Sequence, residues 1–247
     1  MKLKYLYIIL IGCFIIASKN VLAFTHSPET ILIGAQYNGA KLHISGDVLK
    51  DKDIIVEIRG TEKDAHFKQK GKVWGIFWMT VGHLTFKHAP SVYMLYLPSN
   101  LSGVVSKLGL GYKNVLSKIE IEPPPDTKYQ ILADFLKLKE KEGLYHINKN
   151  GIRYIQKGNE KKFRCEISIP PKMPPGKYEI VVYNLNNKHQ IENIEKDSFE
   201  VKLTGFPKFI SDMAFNHSLI YGILAVIIAI LAGFVMGFIF KDKGGAH

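Results

Sequence analysis

The chain has 247 residues, of which 47% are hydrophobic and 22% charged, and its formal net charge is +11. With a mean hydropathy close to zero, it is too apolar for intrinsic disorder and too polar for a multi-span transporter. The apolar excess is concentrated in two uncharged blocks near the ends, and these set the expected topology.

Met1-Lys2-Leu3-Lys4 is a basic start, Tyr5 to Ala17 is uncharged, and Val21-x-Ala23 offers small residues where a signal peptidase reads. Residues 1–23 therefore read as a signal peptide cleaved after Ala23, because the apolar core is shorter than the ~20 residues of a spanning helix. The rival reading takes Leu10-Ile11-Gly12-Cys13 as a lipobox with Cys13 lipidated, although Phe14-Ile15-Ile16 carry the apolar run past that cut.

Short strand signals then follow. Asn38-Gly39 marks a turn between Ile31–Ile33 and Leu42–Ile44. Asp53–Gly60 is a strand in which Ile54, Val56 and Ile58 point one way, while Glu57 and Arg59 point the other beside Ile55. A hairpin is expected at Gln69-Lys70-Gly71, before an aromatic strand from Val73 to Thr80 that carries Trp74, Phe77 and Trp78, and Ser91–Leu97 is the next strand. Pro123-Pro124-Pro125 is a stiff spacer. After it Asp126 or Thr127 can cap a helix closed by Gly143, with Ile131, Leu132, Phe135, Leu136 and Leu138 on its apolar stripe.

Further strands are expected over Lys162–Ile169, Lys177–Asn184 and Ser198–Leu203. Pro174-Pro175-Gly176-Lys177-Tyr178 is a turn feeding a strand with an early Tyr, as at the tyrosine corner of immunoglobulin-like sandwiches. The expected fold is mainly β: an immunoglobulin-like β-sandwich ectodomain of one or two units with one inserted amphipathic helix. Its expected parts are an N-terminal β-rich half (24–122), the Pro spacer and helix (123–143) and a C-terminal immunoglobulin-like half (144–212).

Residues 218–240 contain no charge. At ~1.5 Å per residue that stretch is about 35 Å long, enough to cross a ~30 Å hydrocarbon core with some tilt. Lys241-Asp242-Lys243 follows immediately, so a cytoplasmic tail (241–247) is expected. The whole then reads as a type I single-pass membrane protein with its ectodomain outside and no room for a cytoplasmic domain. On the helix, Ala225, Ala229, Gly233 and Gly237 recur every four residues, a stripe that lets another helix approach closely. Cys165 would be the only cysteine of the mature chain. It shares a strand face with Phe163, Ile167 and Ile169, which points to a buried, inert thiol.

Chemical motifs are sparse. The sequence has no His-Glu-x-x-His, Gly-x-Ser-x-Gly, Cys-x-x-Cys or Walker loop. His83 and His88 are five apart, so an extended chain sends their rings to opposite faces and no metal site or other cofactor is expected. Lys68, Lys70 and Lys72 lie beside Trp74 and Trp78. In a secreted body the compartment argues against nucleic acid and leaves three readings: lysines guarding a sheet edge, an anion-attracting patch, or a protein-partner contact. Arg59, Lys70 and Lys72 are the candidate anion-binding residues, Arg59 because its planar fork suits oxyanions, with pairing to Glu57 as its alternative role.

These residues together resemble a known family. They comprise Ile33-Gly34-Ala35-Gln36-Tyr37-Asn38-Gly39-Ala40, Ile58-Arg59-Gly60, Lys70-Gly71-Lys72-Val73-Trp74-Gly75-Ile76-Phe77-Trp78 and Ala89-Pro90-Ser91-Val92-Tyr93. Phe135-Leu136-Lys137-Leu138-Lys139, Gly143-Leu144-Tyr145, Pro174-Pro175-Gly176-Lys177-Tyr178 and Tyr221-Gly222 continue the pattern over nearly the whole mature chain. The chain resembles the Alph_Pro_TM family of alphaproteobacterial membrane proteins, often encoded beside TauE/SafE-type sulfite or organosulfonate exporters. The resemblance implies a bacterial inner-membrane protein with a periplasmic body and carries over no catalytic residue. The expected function is therefore non-enzymatic: an accessory subunit packing against a membrane partner such as an anion exporter, or self-associating through its helix. The alternative is a periplasmic small-anion binding or sensing module.

Overall fold

A computed structural model describes residues 24–74 and 76–241. The expected signal peptide, Cys13 and tail residues 242–247 lie outside the described residues. Strands β1 (Phe24–Ser27), β3 (Ala40–Leu49), β10 (Ile152–Lys157) and β11 (Glu160–Ile169) form a four-stranded sheet in the order β1-β3-β11-β10. A six-stranded sheet is ordered β2-β13-β12-β4-β7-β9. Its members are β2 (Thr30–Ile33), β4 (Asp53–Gly60), β7 (Tyr93–Tyr96), β9 (Tyr145–Asn148), β12 (Gly176–Leu185) and β13 (Ile191–Leu203). Pairing is antiparallel in the first sheet; in the second, β2–β13 and β7–β9 run parallel.

The two sheets bury their residues differently. In β3 and β11 the alternation is strict: Leu42, Ile44, Phe163, Cys165, Ile167 and Ile169 are buried, while Lys41, His43, Arg164 and Glu166 between them are exposed. One face of the four-stranded sheet thus meets the core and the other meets solvent. Strands β4, β7 and β12 are instead buried almost continuously, so the middle of the six-stranded sheet is covered on both faces. Each fully buried aliphatic side chain contributes roughly 1.5–3 kcal/mol of transfer free energy, and one contiguous core joins both sheets. Polar ties also cross it: the backbone N–H of Ile54 donates to the Tyr154 hydroxyl at 2.9 Å, and Lys161 pairs with Asp53 at 3.1 Å.

The third sheet is an arm. β5 (Glu62–Val73) and β6 (Phe77–Pro90) form a long hairpin, joined at its base by β8 (Glu120–Glu122), which follows helix α1 (Tyr112–Ser117). Helix α2 (Lys128–Lys141) seats the base: Phe135 stacks on Phe86 at 4.6 Å and meets Phe67 edge-on at 5.8 Å. Leu132 and Phe135 of its expected stripe are buried, and Gly143, at φ +73, ends the helix as read from the sequence. Helix α3 (Gly205–Asn216) follows β13, and α4 (Ser218–Lys241) follows α3.

Three sequence expectations are corrected, and one left open is decided. β2 and β3, read as flanking a turn at Asn38-Gly39, do not pair with each other, because the chain changes sheets there. The arm reverses beyond Val73, with Trp74 and Ile76 in turn conformation, and not at Gln69-Lys70-Gly71; Val73 and Phe77 are the paired strand ends there, and Gln69–Gly71 lies inside β5 at a register shift. A glycine fits that interior site because a Cβ on Gly71 would meet Val81 at 3.0 Å. The sequence leaves one unit or two open, and a single core spans the Pro123–Pro125 run. β3 pairs with β11, β4 with β12 and β7 with β9 across it, so each of the two larger sheets draws strands from both sides. Finally, the segment expected to continue the β half to residue 212 is helical from Gly205 onward.

Candidate functional site

α4 is the most distinctive functional element. Ser218–Phe240 is 23 residues of mean hydropathy 3.0, and none of that stretch is buried against the body. Among the described residues it is the one helix long and apolar enough to cross a membrane. Ala225, Ala229, Gly233 and Gly237 share one face of it, and a Cβ built on Gly233 or Gly237 would meet nothing within 4 Å. On the other side of the short break at His217, α3 also buries no residue, with Phe206, Phe209 and Phe215 exposed.

Arg59 is held by Glu57. The two point to the same face of β4, as an i, i+2 pair must. The Arg59 Nη2 and Nε donate to Glu57 Oε1 at 2.6 and 3.2 Å, and the Tyr183 hydroxyl donates to Oε2. Glu57 has no exposed surface; sequence reading placed it on a face away from Ile54 without foreseeing that this face too would be covered. Burial lowers the Arg59 guanidinium and the Glu57 carboxylate raises it, leaving it above its ordinary value. Burial, then the same carboxylate, pushes the Tyr183 hydroxyl well above the usual tyrosine range, so it stays a donor.

Arg59 lines an open cleft of about 650 Å³ with Lys177 and Lys196, opposed by Glu62, Glu179 and Asp197. Three cations face three carboxylates there, and Lys196 is already bound to Glu179 at 2.9 Å. Lys70 lines a different groove, between the arm and α2, with Phe67, Leu84, Ile131, Phe135 and Leu138. Lys72 lies over the Trp78 ring, 5.5 Å from its centroid. The three candidate anion residues therefore do not share a hollow.

A different basic pair is brought together by register. Arg153 of β10 stands directly opposite Arg164 of β11, with Ser45 of β3 next in the row. Both arginines are exposed and line a hollow of about 750 Å³ together with His43, Asn148, Asn150 and Glu166. Lys41, then His43 and Arg153, hold the Glu166 carboxyl below its ordinary value, and its closest cation is Lys41 at 2.6 Å. Like charges directly opposite are unfavourable unless an anion lies between them. The signal existed in the sequence: Gly158-Asn159 is a two-residue hairpin turn, and counting outward from it sets Arg153 against Arg164.

Cys165 is buried on the inner face of the same strand, and burial pushes its thiol far up, so it is held as an inert thiol. His83 pairs across the arm with Lys68; His88 lies on the same strand, its Nδ1 3.9 Å from Glu62.

A folded, mainly β body followed by a helix that can cross a bilayer defines a membrane protein. The chain matches, over residues 21–242, the family described as "Putative transmembrane protein (Alph_Pro_TM)", and it belongs to that family. No curated protein matches it.

Proposed function

We propose that this protein is a non-enzymatic accessory subunit of the bacterial envelope, crossing the inner membrane once through α4. The body would lie in the periplasm and the basic tail in the cytoplasm, with α4 packed against a membrane partner such as a sulfite or sulfonate exporter or a second copy. The observation that carries this reading is that α4 buries nothing against its own body. Whatever covers its small-residue face comes from outside the fold or from lipid. The strand orders β1-β3-β11-β10 and β2-β13-β12-β4-β7-β9, with Tyr178 near the start of β12 donating to Pro174 O at 2.5 Å, support reading the body as an immunoglobulin-like sandwich. Gly233→Leu with Gly237→Leu tests the packing: in mild detergent the full chain should co-purify with its partner or with itself, and the double variant should not. Equal association in both would defeat the reading.

A second reading, a small-anion binding module, is favoured by Arg153 and Arg164, which stand opposite in register and line one hollow. Two planar forks side by side can take an oxyanion through parallel hydrogen bonds. Titration of the full chain with sulfite, sulfate and an alkylsulfonate should release heat at about millimolar ligand. Arg153→Gln with Arg164→Gln should abolish that heat. Silence in the parent chain rules this reading out.

A further inference from the structure

The far end of the β5–β6 arm is built as few soluble surfaces are. Trp74 is 89% exposed, Ile76 74%, Trp78 67% and Phe77 60%, and Met79 and Val81 are more than half exposed beside them. Phe67 and Leu84 are the last pair of the arm packed on the core. Beyond them β5 runs six residues further, about 20 Å at ~3.3 Å per residue. The apolar tip is therefore held out from the body, where the core cannot cover it. Trp74 is also left-handed at φ +53 in the turn, an uncommon state for a bulky residue that a tip designed only for solubility would give to glycine.

Charge on the outer part of the arm is one-signed. Between Ala65 and Phe86 there are Lys68, Lys70, Lys72, His66 and His83 and no acidic residue. The three lysines alternate along β5 and so share one face, and register sets Lys72 opposite Trp78 and Lys70 opposite Thr80. On the other face Gly71 opposes Met79, and Val73 opposes Phe77. Lysine ammonium groups thus lie along one side of an arm whose end and opposite side are apolar.

We propose that this tip is a second membrane contact: it inserts Trp74, Ile76, Phe77 and Trp78 into the interface of an anionic bilayer, with Lys68, Lys70 and Lys72 on the lipid headgroups. Tryptophan favours that boundary because its ring has an apolar body and a polar N–H, and lysine stems lie along apolar surface while their ammonium groups reach headgroups. The tip's positive charge complements anionic lipid. α4 holds the body at a membrane already, so the second contact forms from a tethered state and needs little affinity of its own. A protein groove as occupant would not need three lysines and two exposed indoles on one projecting end.

Trp74 and Trp78 are the only two tryptophans of the chain, so intrinsic fluorescence reports the tip alone. The full chain is reconstituted in vesicles of phosphatidylglycerol with phosphatidylcholine, and in phosphatidylcholine alone, with and without lipids brominated high on the acyl chain. In anionic vesicles the emission should shift to the blue, bromolipid should quench it, and acrylamide in the water should quench it weakly. Lys68→Gln with Lys70→Gln and Lys72→Gln, all at exposed positions, should cut the bromolipid quenching by about half or more, as should raised salt. Emission that stays red and open to acrylamide in every vesicle overturns the proposal. So does protection from both quenchers, which would mean that a second copy covers the tip.

Discussion

A carboxylate with no exposed surface is costly unless hydrogen bonds replace its water. Glu57 is such a group, and Arg59 and Tyr183 supply the replacement. Tyr183→Phe deletes one hydrogen bond to a charge and should cost about 1.5–3 kcal/mol. Glu57→Ala leaves the half-buried guanidinium without its partner and should cost about 3 kcal/mol or more, the low end for breaking a buried pair because Arg59 retains some solvent. Urea unfolding of the detergent-solubilised chain orders the two; a larger loss for Tyr183→Phe would mean that the ion pair is not what holds this face. Asp53 gives a pH dependence. Burial raises its carboxyl, but hydrogen bonds from Asn100 and Lys161 and the charge of Lys161 outweigh this, and it ends below its ordinary value. A group depressed in the folded state stabilises above its unfolded value and loses that contribution as pH falls through the folded one. Stability should therefore decline below about pH 4, the ordinary carboxylate value, and Asp53→Asn should flatten part of that acid slope. At this scale the sequence allowed Arg59 to be paired with Glu57, because two residues apart on one strand is a local relation. It did not show that Tyr183, 126 positions away, would close the set, since only the alignment of β12 beside β4 brings it there.

Elements whose signal is local were legible: α2 between its prolines and Gly143, β4 and β11 by their spaced apolar residues, β12 by the Pro-Gly turn that feeds it, and the length of α4. What failed was pairing. Asn38-Gly39 looks the same whether the next strand folds back or crosses to another sheet, and that choice is made by distant partners, β13 for β2 and β11 for β3. The arm was misread for a related reason. Gly71 is a turn residue by composition, yet it serves as a narrow strand site against Val81, while the left-handed conformation at the arm's end falls to Trp74, which propensity would not choose. Gly60 shows what such a close site demands. A Cβ there would meet Ser91 Oγ at 2.2 Å and the Val92 N at 2.9 Å, where β4 leaves toward the arm and the Gly60 N–H donates to Val92 O at 2.9 Å. The Ser91 hydroxyl can rotate away but the backbone cannot. Gly60→Ala should therefore destabilise by roughly 1–3 kcal/mol, as overpacking does. Pairing it with Ser91→Ala should recover only part of the loss. Full recovery would assign the crowding to the side chain alone.

For the whole molecule the question is whether body and anchor are energetically separate. The core that joins the two larger sheets takes residues from β1 through β13 and from α1 and α2, and α3 contributes no buried side chain to it. The spanning stretch of α4 is likewise unburied. Burial, not propensity, supplies most of the stability of a helix in a globular protein, so neither helix should help hold the strands together. A chain ended after Leu203 should then unfold within about 4 °C of the full chain's midpoint, since a larger drop would correspond to roughly 1 kcal/mol or more lost from a body of this size. Calorimetry of both forms in the same mild detergent makes the comparison. The same pair separates two sources of membrane binding. With α4 present the protein should resist a carbonate wash. Without it, retention on anionic vesicles should be weak, salt-sensitive and dependent on Trp74 and Trp78, because few exposed aromatics and three lysines give reversible adsorption and a spanning helix does not let go. A shortened chain that stays bound through carbonate would show that α4 is not the principal anchor.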